Sequence, residues 1–568
     1  MSNLIPIAID LETSSESGTK EDNLNFLKNK IECVAVVNSQ ETRVRDLREF
    51  PLVVDPPTGY LCVMHNAMFD LKVLAHHYKW SEEDIMNCHI FDTYVAARLI
   101  DENDDCGLKD LAKKYLGKDR SGDTFKIKSS ETRENFLDYC KRDAEDTFSL
   151  FSIFKKELEN QGLLELFNLE MEVVKKMICA ELRGVRLDIP KMERLQKRFA
   201  KNRDKLRRCF LTKYLLSEDF NMNSPKQLQK LFFQQLELTP KKTTLKGSPS
   251  TSAAALEEMA LEGVDAARWL LTFRKYEMVE RQTVKLIESA HEGRVHPNFN
   301  IVGTESGRFS CARPNLQQIA GKSTMGIAIR NCFIGDLVVA DFDNIEMRLL
   351  AHFSQEPKLL QAYKQGEEID VHQQTADLLK ISRSSAKTIN FGILYGIGKR
   401  KLAQSLKIDE DEAQELINSW NRNYPMVQRW KDKVIYEASL RGYVTSLSGR
   451  RRHVPELIGC LTFQKRDRDQ LRLLYGLQRE VVNFVLQGSS ADLTKKALVE
   501  LKDENLVCTI HDEFIWENPK RSVEEFEAIL NNLVDLSVPI TCTVQRVKSW
   551  GLAKSKPKKE LQNVQFVV

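Results

Sequence analysis

The segment VCTIHDEFIW at positions 507–516 is the part of the sequence that most restricts the fold. Two apolar runs that favour β-strands, VCTI and FIW, are polar only at one threonine and stand on either side of His511, Asp512 and Glu513. Carboxylates at the tip of an apolar hairpin cost several kcal/mol to bury unless something compensates their charge. The segment therefore predicts a buried hairpin with a compensating partner at its acidic tip.

The length and charge of the chain leave several classes of function open. A chain of 568 residues is too long for one hydrophobic core, so about two to four domains are expected. Its 42% apolar and 29% charged residues are the mix of a globular protein. The net charge of +3 neither supports nor excludes a nucleic-acid partner, because basic clefts and acidic metal sites can cancel in the sum.

Cysteine usage predicts a protein of a cytosol-like compartment. The 12 cysteines form no Cys-x-x-Cys pair and no zinc-ligand spacing, so buried reduced thiols are expected. No apolar run of about 18 residues occurs, so no membrane span is predicted. The opening MSNLIPIAIDLET resembles a first strand that runs into acids rather than a signal peptide.

The pattern of apolar residues changes along the chain. Residues 1–160 alternate short β-like runs with helical stretches, which is an α/β pattern. Residues 165–290 are mostly helical and rich in Lys and Arg. From about 295 the pattern is mixed, with β-like runs separated by a long helical block at roughly 355–490.

Three segments of the first part carry acids at metal-binding spacings. Asp10 and Glu12 end a β-like run and, being two residues apart, face the same side of a strand. Asp70 lies in MHNAMFDLKVL, and Tyr139 and Asp143 are four apart, on one helical face. The three segments resemble, in order, the signature motifs of the DEDDy 3′–5′ exonucleases.

The chemistry of that family needs these residue types. Two Mg²⁺ ions about 4 Å apart activate a water and stabilise the leaving oxygen of a phosphodiester. Hard cations take oxygen ligands, which Asp10, Glu12, Asp70 and Asp143 supply. By the resemblance, Tyr139 orients the attacking water.

The segment LVVADFDNIEMRLLAHFS at 337–354 repeats an acid at the end of a buried β-like run. It resembles motif A of the family A DNA polymerases. The resemblance gives Asp341 the place of a metal ligand and Glu346 the place that crowds the sugar 2′ position. Asp343 departs from the usual motif and adds a negative charge that the sequence does not explain.

The segment ISRSSAKTINFGILYGIG at 381–398 resembles motif B of the same family. Its four key residues, Arg383, Lys387, Phe391 and Tyr395, each follow the previous one by four positions and share one broad helical face. The cations can hold a triphosphate. The aromatic rings can stack on the incoming base and the templating position.

The triplet at the hairpin tip resembles motif C, which answers the question of the compensating partner. Asp512 would meet Asp341 across the sheet, and both would bind Mg²⁺ that bridges the nucleotide phosphates and the primer 3′-OH. Glu513 would be an auxiliary acid. His511 would contact the primer strand near its end.

Further segments resemble the family's DNA-contacting positions. TESGRFSCARPNLQQI, QREVVNFVLQGSSADL and DVH supply them. The resemblance implies contacts to DNA from Arg308, Asn315, Gln317, Arg479, Asn483 and Gln487, and a phosphate contact from His372. The helix face that bears the last three DNA contacts would feel the minor groove, where purine N3 and pyrimidine O2 acceptors are nearly independent of sequence.

The resemblance implies a multidomain α/β and α+β fold, in which an RNase H-like exonuclease precedes a right-hand polymerase. The expected domains are an exonuclease (1–165), the palm entry and helical thumb (166–295), the palm with motif A (296–353), the fingers with motif B (354–475) and the palm with motif C (476–568). No 5′-nuclease domain is expected.

The implied function is template-directed DNA synthesis with 3′–5′ proofreading. The expected partners are primer-template DNA and dNTPs, with two Mg²⁺ per active site that Mn²⁺ can replace, no membrane and a monomeric state. The expected role is DNA replication. The short architecture suits a phage genome, and it also suits a bacterium or an organelle. The resemblance therefore implies a cytoplasmic protein of a bacterial cell or a phage-infected host. Accessory proteins are not readable from the sequence.

Three alternatives stay open. The polymerase half could have decayed into a DNA-binding accessory of a 3′–5′ exonuclease, which complete motifs A, B and C argue against. The chain could be a non-enzymatic DNA-binding scaffold, but the seven acids at metal-type positions argue against this alternative. The chain could also copy an RNA template or make RNA. Glu346 argues against the use of ribonucleotides, but the motifs do not specify the template.

Overall fold

The computed structural model describes residues 4–48, 54–120, 133–240, 242–244, 247–364, 370–458 and 467–554. The strands are β1 (Ile5–Ser15), β2 (Asn29–Val37), β3 (Thr42–Asp46), β4 (Tyr60–Met64), β5 (His89–Asp92), β6 (Val185–Arg186), β7 (Ala290–His291), β8 (Arg294–Val295), β9 (Asn298–Asn300), β10 (Ser310–Ala312), β11 (Ile334–Phe342), β12 (Tyr443–Thr445), β13 (Arg451–His453), β14 (Leu506–Ile510), β15 (Glu513–Glu517) and β16 (Cys542–Ser549).

The helices account for most of the remaining described residues. They are α1 (Lys20–Asn23), α2 (Ala67–His77), α3 (Glu82–Asn87), α4 (Thr93–Ile100), α5 (Leu108–Leu116), α6 (Arg133–Asn160), α7 (Leu164–Arg183), α8 (Ile189–Lys213), α9 (Pro225–Gln229), α10 (Ala253–Leu261), α11 (Asp265–Glu288), α12 (Thr324–Arg330), α13 (Ile345–Ser354), α14 (Pro357–Ala362), α15 (Val371–Leu379), α16 (Arg383–Leu394), α17 (Lys399–Leu406), α18 (Glu410–Asn423), α19 (Pro425–Arg441), α20 (Arg468–Glu500) and α21 (Val523–Asn531). None of them is both long enough and apolar enough to cross a membrane.

The chain divides into two compact units. The first comprises Met1–Arg183, Asn298–Cys311 and Val338–Gln545, and the second comprises Gly184–Pro297, Ala312–Leu337 and Arg546–Val568. The five domain boundaries expected from the sequence are finer than this division and stay predictions.

The first unit begins with a mixed five-stranded sheet in the order β3-β2-β1-β4-β5. β1 is antiparallel to β2 and parallel to β4. The helices α2 and α3 connect β4 to its parallel neighbour β5, which is the helical crossover that the α/β pattern predicts. In the register of β1 against β2, Asp10 lies opposite Ala35 and Glu12 opposite Cys33. Both acids therefore stand on one face of the sheet.

A second sheet, which includes β14 and β15 of the first unit, has the order β14-β15-β11-β16. Every residue of β14 and β15 is buried, and the two strands are antiparallel, as the VCTI and FIW runs predict. The turn places His511 in the left-handed region with φ of 59°. The rings of Phe342 and Phe514 meet edge to face at 5.7 Å between centroids, which packs β11 against β15.

The helical block expected at roughly 355–490 is interrupted by a hairpin. α19 ends at Gly442, whose φ of 74° suits glycine and stops the helix. β12 and β13 then pair, with Tyr443 opposite His453, before the helical pattern resumes in α20. The helical period of the flanking segments hides this short hairpin in the sequence.

The second unit is mainly helical, with α8 packed against α11. Its core is a cluster of buried apolar side chains from α8, α10, α11 and the segment between α8 and α10. The cluster contains Phe210, Met222, Leu228, Leu231, Phe232, Leu256, Met259, Ala266, Ala267, Leu270 and Phe273. A small three-stranded sheet, β6-β8-β7, lies in the same unit.

Two candidate active sites

The first candidate site lies where β1, α2 and α6 meet. Asp10 and Glu12 come from β1, and Asp143 comes from the middle of α6, which packs against β1. The carboxylate oxygens of these three residues lie within 4.8 Å of one another. Asp70 stands in the first turn of α2 and is 5% exposed. The structure thus brings together the acids that three separate segments of the sequence contributed.

The electrostatics of this site favour a bound cation. Burial, together with repulsion from the neighbouring carboxylates, raises the pKa of Asp10 well above its ordinary value. Burial and the charge of Asp143 raise the pKa of Glu12 to about 8. Burial also raises the pKa values of Asp70 and Asp143. Holding ionised carboxylates this close together costs free energy unless a positive charge lies among them.

One oxygen of this site accepts no hydrogen bond. Asp10 Oδ2 is buried and has no donor within the part of the chain that the structure describes. A buried carboxylate oxygen of this kind fits a place in the coordination shell of a hard divalent cation. The all-oxygen donor set of the three acids fits the same kind of ion.

Tyr139 lies one helical turn before Asp143 on α6. Burial and the negative charges of Asp143 and Glu12 raise its pKa above the ordinary value, so the phenol keeps its proton. A neutral phenol can donate a hydrogen bond to an attacking water. The role of Tyr139 in orienting a water stays a prediction.

Two cations lie beside these acids but belong to none of the sequence motifs. Arg120 Nη1 lies 2.7 Å from Asp143 Oδ1, and its side chain is 8% exposed. Lys109, in the first turn of α5, places its Nζ 5.0 Å from the centroid of the Tyr139 ring. LKDLAKKYL contains four lysine and aspartate side chains on a short helix, so nothing local distinguishes Lys109.

The second candidate site lies at the edge of the second sheet, where β11 ends and the β14–β15 hairpin turns. The N–H of Phe342 donates to the carbonyl oxygen of Asp512 at 3.4 Å, which joins motif A to motif C. Burial and the charge of Asp341 raise the pKa of Asp512 to about 6. The charge of Asp341 therefore acts on the carboxylate of Asp512, while Glu513 is buried in β15 at 3% exposure. That both acids hold a metal stays a prediction.

The structure gives a reason for Asp343. Its Oδ1 accepts a hydrogen bond from Thr543 Oγ1 at 2.8 Å, and its N–H donates to the carbonyl of Thr541 at 2.9 Å. Arg348 Nε donates to the Asp343 carbonyl at 2.9 Å. Asp343 thus fastens motif A to the strand β16 and the residue before it, and its carboxylate has a local partner.

Glu346 connects two other predicted residues. Its carboxylate accepts hydrogen bonds from Arg308 and from the hydroxyl of Tyr395, although it is only 7% exposed. Burial and the Glu346 charge raise the pKa of Tyr395. The network holds the start of α13 against the end of α16, where the resemblance places the nucleotide.

α16 carries the predicted triphosphate ligands. Ser382 caps its N-terminus, and Arg383 begins the helix and pairs with Asp370 at 2.6 Å while it stays half-exposed. Lys387 and the Phe391 ring lie 5.8 Å apart on the next turns. His372 is buried and shares a hydrogen bond of 3.0 Å with Asn390, and its ring lies 5.5 Å from that of Phe391.

A cleft of about 560 Å³ joins several predicted DNA contacts. Its walls include Arg308, Tyr395, Arg479, Asn483 and Gln487. They also include Arg452, which lies beside Glu480 in the same wall. One face of α20 therefore points its amides and guanidinium into a polar cleft.

Three predicted DNA contacts lie elsewhere. His511 is exposed at the hairpin turn. Asn315 and Gln317 belong to the second unit. Asn315 directly precedes the short 3₁₀ helix Leu316–Gln318, and Gln317 lies within it.

Comparison with known proteins shows the family to which this chain belongs. The sequence model of DNA polymerase family A matches residues 189–552. This chain belongs to DNA polymerase family A. A second model, described as a 3′-5′ exonuclease, matches residues 1–159, so the family and the exonuclease-plus-polymerase architecture predicted from the sequence are confirmed.

Among the relatives of this family A chain is DNA polymerase I of Synechocystis, 33% identical over 537 residues, 87% of this chain and 54% of that protein. DNA polymerase I of Geobacillus stearothermophilus is 30% identical over 523 residues, 86% of this chain and 58% of that protein. The chain spans about half the length of the curated relatives that it matches.

A solved structure has the same fold. The POL domain of Pol1 from M. smegmatis, solved in complex with DNA primer-template and dNTP, superposes with a TM-score of 0.82 at 24% identity. The match covers 98% of this chain and 97% of that one. It confirms the fold predicted for a family A chain.

Proposed function

We propose that this chain is a DNA-templated DNA polymerase that also removes nucleotides from 3′ ends. The observation that carries the proposal is the meeting of Asp341 and Asp512 beside a polar cleft. Two carboxylates on neighbouring backbone segments, joined through Phe342, are the arrangement that phosphoryl transfer with divalent cations needs.

In the polymerase site, the oxygen of the primer 3′-OH attacks the α-phosphorus of a dNTP and the bond to pyrophosphate breaks. Asp341 and Asp512 would hold two Mg²⁺, which stabilise the charge on the reacting oxygens and which Mn²⁺ can replace. Arg383 and Lys387 bind the triphosphate, and Lys387 donates a proton to the departing pyrophosphate. Phe391 and Tyr395 support the nascent base pair.

The nucleotide pocket also selects the sugar. Glu346, held by Arg308 and Tyr395, crowds the 2′ position and so disfavours ribonucleotides. His372, whose ring lies 5.5 Å from that of Phe391, is proposed to contact a phosphate of the nucleotide.

In the exonuclease site, a water attacks the last phosphodiester of a 3′ end. The bond to the 3′ oxygen of the shortened strand breaks, and a nucleoside 5′-monophosphate leaves. Asp10, Glu12, Asp70 and Asp143 would hold two Mg²⁺, and Tyr139 orients the water. Fraying of a duplex end costs least at a mismatch, so this activity edits errors.

The partners follow from the same sites. We propose that primer-template DNA occupies the cleft, with Arg479, Asn483 and Gln487 at its minor groove and His511 near the primer end. The solved relative whose fold matches holds DNA primer-template and dNTP. Asn315 and Gln317 are proposed as further DNA contacts from the second unit.

One gel tests both activities. A 5′-labelled recessed primer on a longer DNA template is mixed with the protein and Mg²⁺, with and without the four dNTPs. Extension with dNTPs and shortening without them are expected. Shortening in both lanes would show a 3′–5′ exonuclease whose second half only grips DNA, and no change in either lane would refute the whole proposal.

A further inference from the structure

We infer that Lys109 and Arg120 form a cationic site that binds the scissile phosphodiester at the 3′ end of a DNA strand. The inference rests on the exonuclease function proposed above and adds two substrate-binding residues to it. Both cations lie beside the ring of Tyr139, and Arg120 also pairs with Asp143, a carboxylate that is proposed to bind metal.

The two cations share Tyr139 as a neighbour. Lys109 Nζ lies 5.0 Å from the centroid of its ring, and Arg120 Cζ lies 5.7 Å from the same centroid. The resemblance places the attacking water beside this ring, and the phosphorus that the water attacks must lie within a few ångströms of it. Both cations are therefore within reach of the phosphate oxygens.

Arg120 is held in place by a second acid. Its Nη1 lies 2.7 Å from Asp143 Oδ1 and 2.7 Å from Asp146 Oδ2. Asp146 is almost fully buried, and its other oxygen pairs with Lys118 at 2.6 Å. Asp146 thus anchors the guanidinium at the edge of the acid cluster. A planar guanidinium with several donors can contact Asp143 and a phosphate oxygen at the same time.

Lys109 makes no ion pair within the described part of the chain, although Glu12 and Asp143 are near enough for its charge to favour their ionised forms. α5 begins at Leu108 after Gly107, so Lys109 is at the second position of a helix of nine residues. The half-buried amine therefore faces the acid cluster while it keeps its donors for a ligand.

The charge balance of the reaction indicates what these two cations contribute. Four carboxylates and two divalent cations sum to zero, while the phosphodiester enters with one negative charge and gains another when the attacking water gives up a proton to solvent and its oxygen adds to phosphorus. Fixed donors aimed at the oxygens where charge develops stabilise the transition state more than the ground state. Lys109 and Arg120 supply two such positive groups, and neither recognises a base.

The first measurement is the rate at which the full-length chain shortens a 5′-labelled single-stranded DNA in Mg²⁺. Arg120→Gln is expected to lower this rate by about 100-fold, as for the loss of one preorganised donor to developing charge. Arg120→Lys is expected to lower it less because the charge is kept. Lys109→Gln is expected to lower it by a smaller factor than Arg120→Gln, since its amine is more exposed.

Arg133→Gln is the matched control. Arg133 lies on the same helix as Tyr139 and also bridges two carboxylates, Asp46 at 2.5 Å and Glu32 at 3.2 Å, away from the acid cluster. This variant is expected to trim DNA at nearly the wild-type rate. Trimming by Arg120→Gln at the wild-type rate, or an equal loss in Arg133→Gln, would overturn the inference. Primer extension by Arg120→Gln at the wild-type rate shows that the protein is folded.

The second measurement separates phosphate binding from a structural role. Calorimetry follows the binding of dTMP, the trimming product, in Ca²⁺, with Asp10→Asn defining the binding that belongs to this site. Arg120→Gln is expected to weaken it by about 10-fold, the value of one charge-assisted hydrogen bond. Wild-type dTMP affinity in Arg120→Gln would overturn the inference even if trimming is lost. A wild-type chain that trims nothing refutes the exonuclease function, while this titration still decides whether the two cations bind phosphate.

Discussion

The N–H of Phe342 donates to the carbonyl oxygen of Asp512 at 3.4 Å, across two segments that are 170 residues apart in the chain. This backbone contact fixes the last turn of the motif C hairpin to the end of β11. Burial and repulsion from the charge of Asp341 together raise the pKa of Asp512 to about 6. Divalent cations between the two carboxylates would remove that repulsion.

The first prediction concerns these two acids. Asp341→Asn and Asp512→Asn should each slow primer extension by more than about 100-fold, because a lost metal ligand forfeits several kcal/mol of charge stabilisation. Trimming of single-stranded DNA should stay at the wild-type rate, since it uses other acids. Both rates are read from one gel with a 5′-labelled primer.

Asp343→Asn is the matched control for this prediction. Asp343 is the same residue type two positions from Asp341, but its carboxylate accepts from Thr543 Oγ1 at 2.8 Å. An amide oxygen can accept the same bond, so extension should fall by no more than a few fold. A loss in Asp343→Asn equal to that in Asp341→Asn would mean that Asp343 is itself a metal ligand.

The second prediction concerns sugar selection by Glu346. Glu346→Ala should raise the use of ribonucleotides relative to deoxyribonucleotides by about 10-fold or more, the usual range for one changed pocket contact. Extension with dNTPs should slow as well, because Arg308 and Tyr395 lose their shared acceptor.

Tyr395→Phe separates these two effects. It removes one hydrogen bond to Glu346 while the carboxylate stays in place. Discrimination against ribonucleotides should therefore remain close to wild type, as measured by single-turnover incorporation of UTP and dTTP. Equal discrimination in Glu346→Ala and wild type would show that another group excludes the 2′-OH.

The third prediction is a pH dependence of stability. Burial and Asp143 raise the pKa of Glu12 to about 8, above its ordinary 4.5. Between these values the folded state binds more protons than the unfolded state, so the free energy of unfolding without metal falls as pH rises. Mg²⁺ binds the ionised carboxylates and should raise Tm more at pH 8 than at pH 6.

Differential scanning fluorimetry with Mg²⁺ and with EDTA tests this prediction at both pH values. Glu12→Gln removes the titrating group and should shrink the pH dependence of the metal-free protein. If the metal-free protein becomes more stable from pH 6 to pH 8, the acids of the exonuclease site are not held protonated by burial.

The residues that could be predicted from the sequence are those whose partners are near in the chain or whose spacing has a strong chemical meaning. Asp10 with Glu12 and Tyr139 with Asp143 are such pairs, and the structure places them together. Arg120 could not be found in this way. It reaches Asp143 from a separate segment, and a single arginine after a short helix has no distinguishing pattern.

The interrupted helical block shows the same limit. Glycines such as Gly442 punctuate it, but the strands β12 and β13 have three residues each, too few for a two-residue period to be seen. Their position matters because Arg452 and His453 reach a carboxylate 350 residues earlier in the chain. Such a distant pairing is a property of the packed fold.

The last prediction tests that distant pairing. The side chain of Glu102 is 4% exposed. It accepts hydrogen bonds from Arg452 Nη1 at 2.9 Å and from the His453 N–H at 2.6 Å, and it forms a third hydrogen bond of 2.9 Å with His453 Nδ1. Glu102→Gln should lower the free energy of unfolding by about 3 kcal/mol, because a buried guanidinium loses its buried counter-charge. Urea titration followed by tryptophan fluorescence measures the change.

Glu480→Gln is the control on the same guanidinium. Glu480 lies 2.5 Å from Arg452 Nη2, but its side chain is 36% exposed, so its loss should cost less than about 1 kcal/mol. Asp101 stands beside Glu102 and His453 at the spacing of a metal site, yet the Arg452 charge on Glu102 opposes a second cation there. If Glu102→Gln and Glu480→Gln lose the same free energy of unfolding, burial of Glu102 does not make its pairing with Arg452 necessary for stability. A rise in the stability of Glu102→Gln alone would contradict the prediction in the same way.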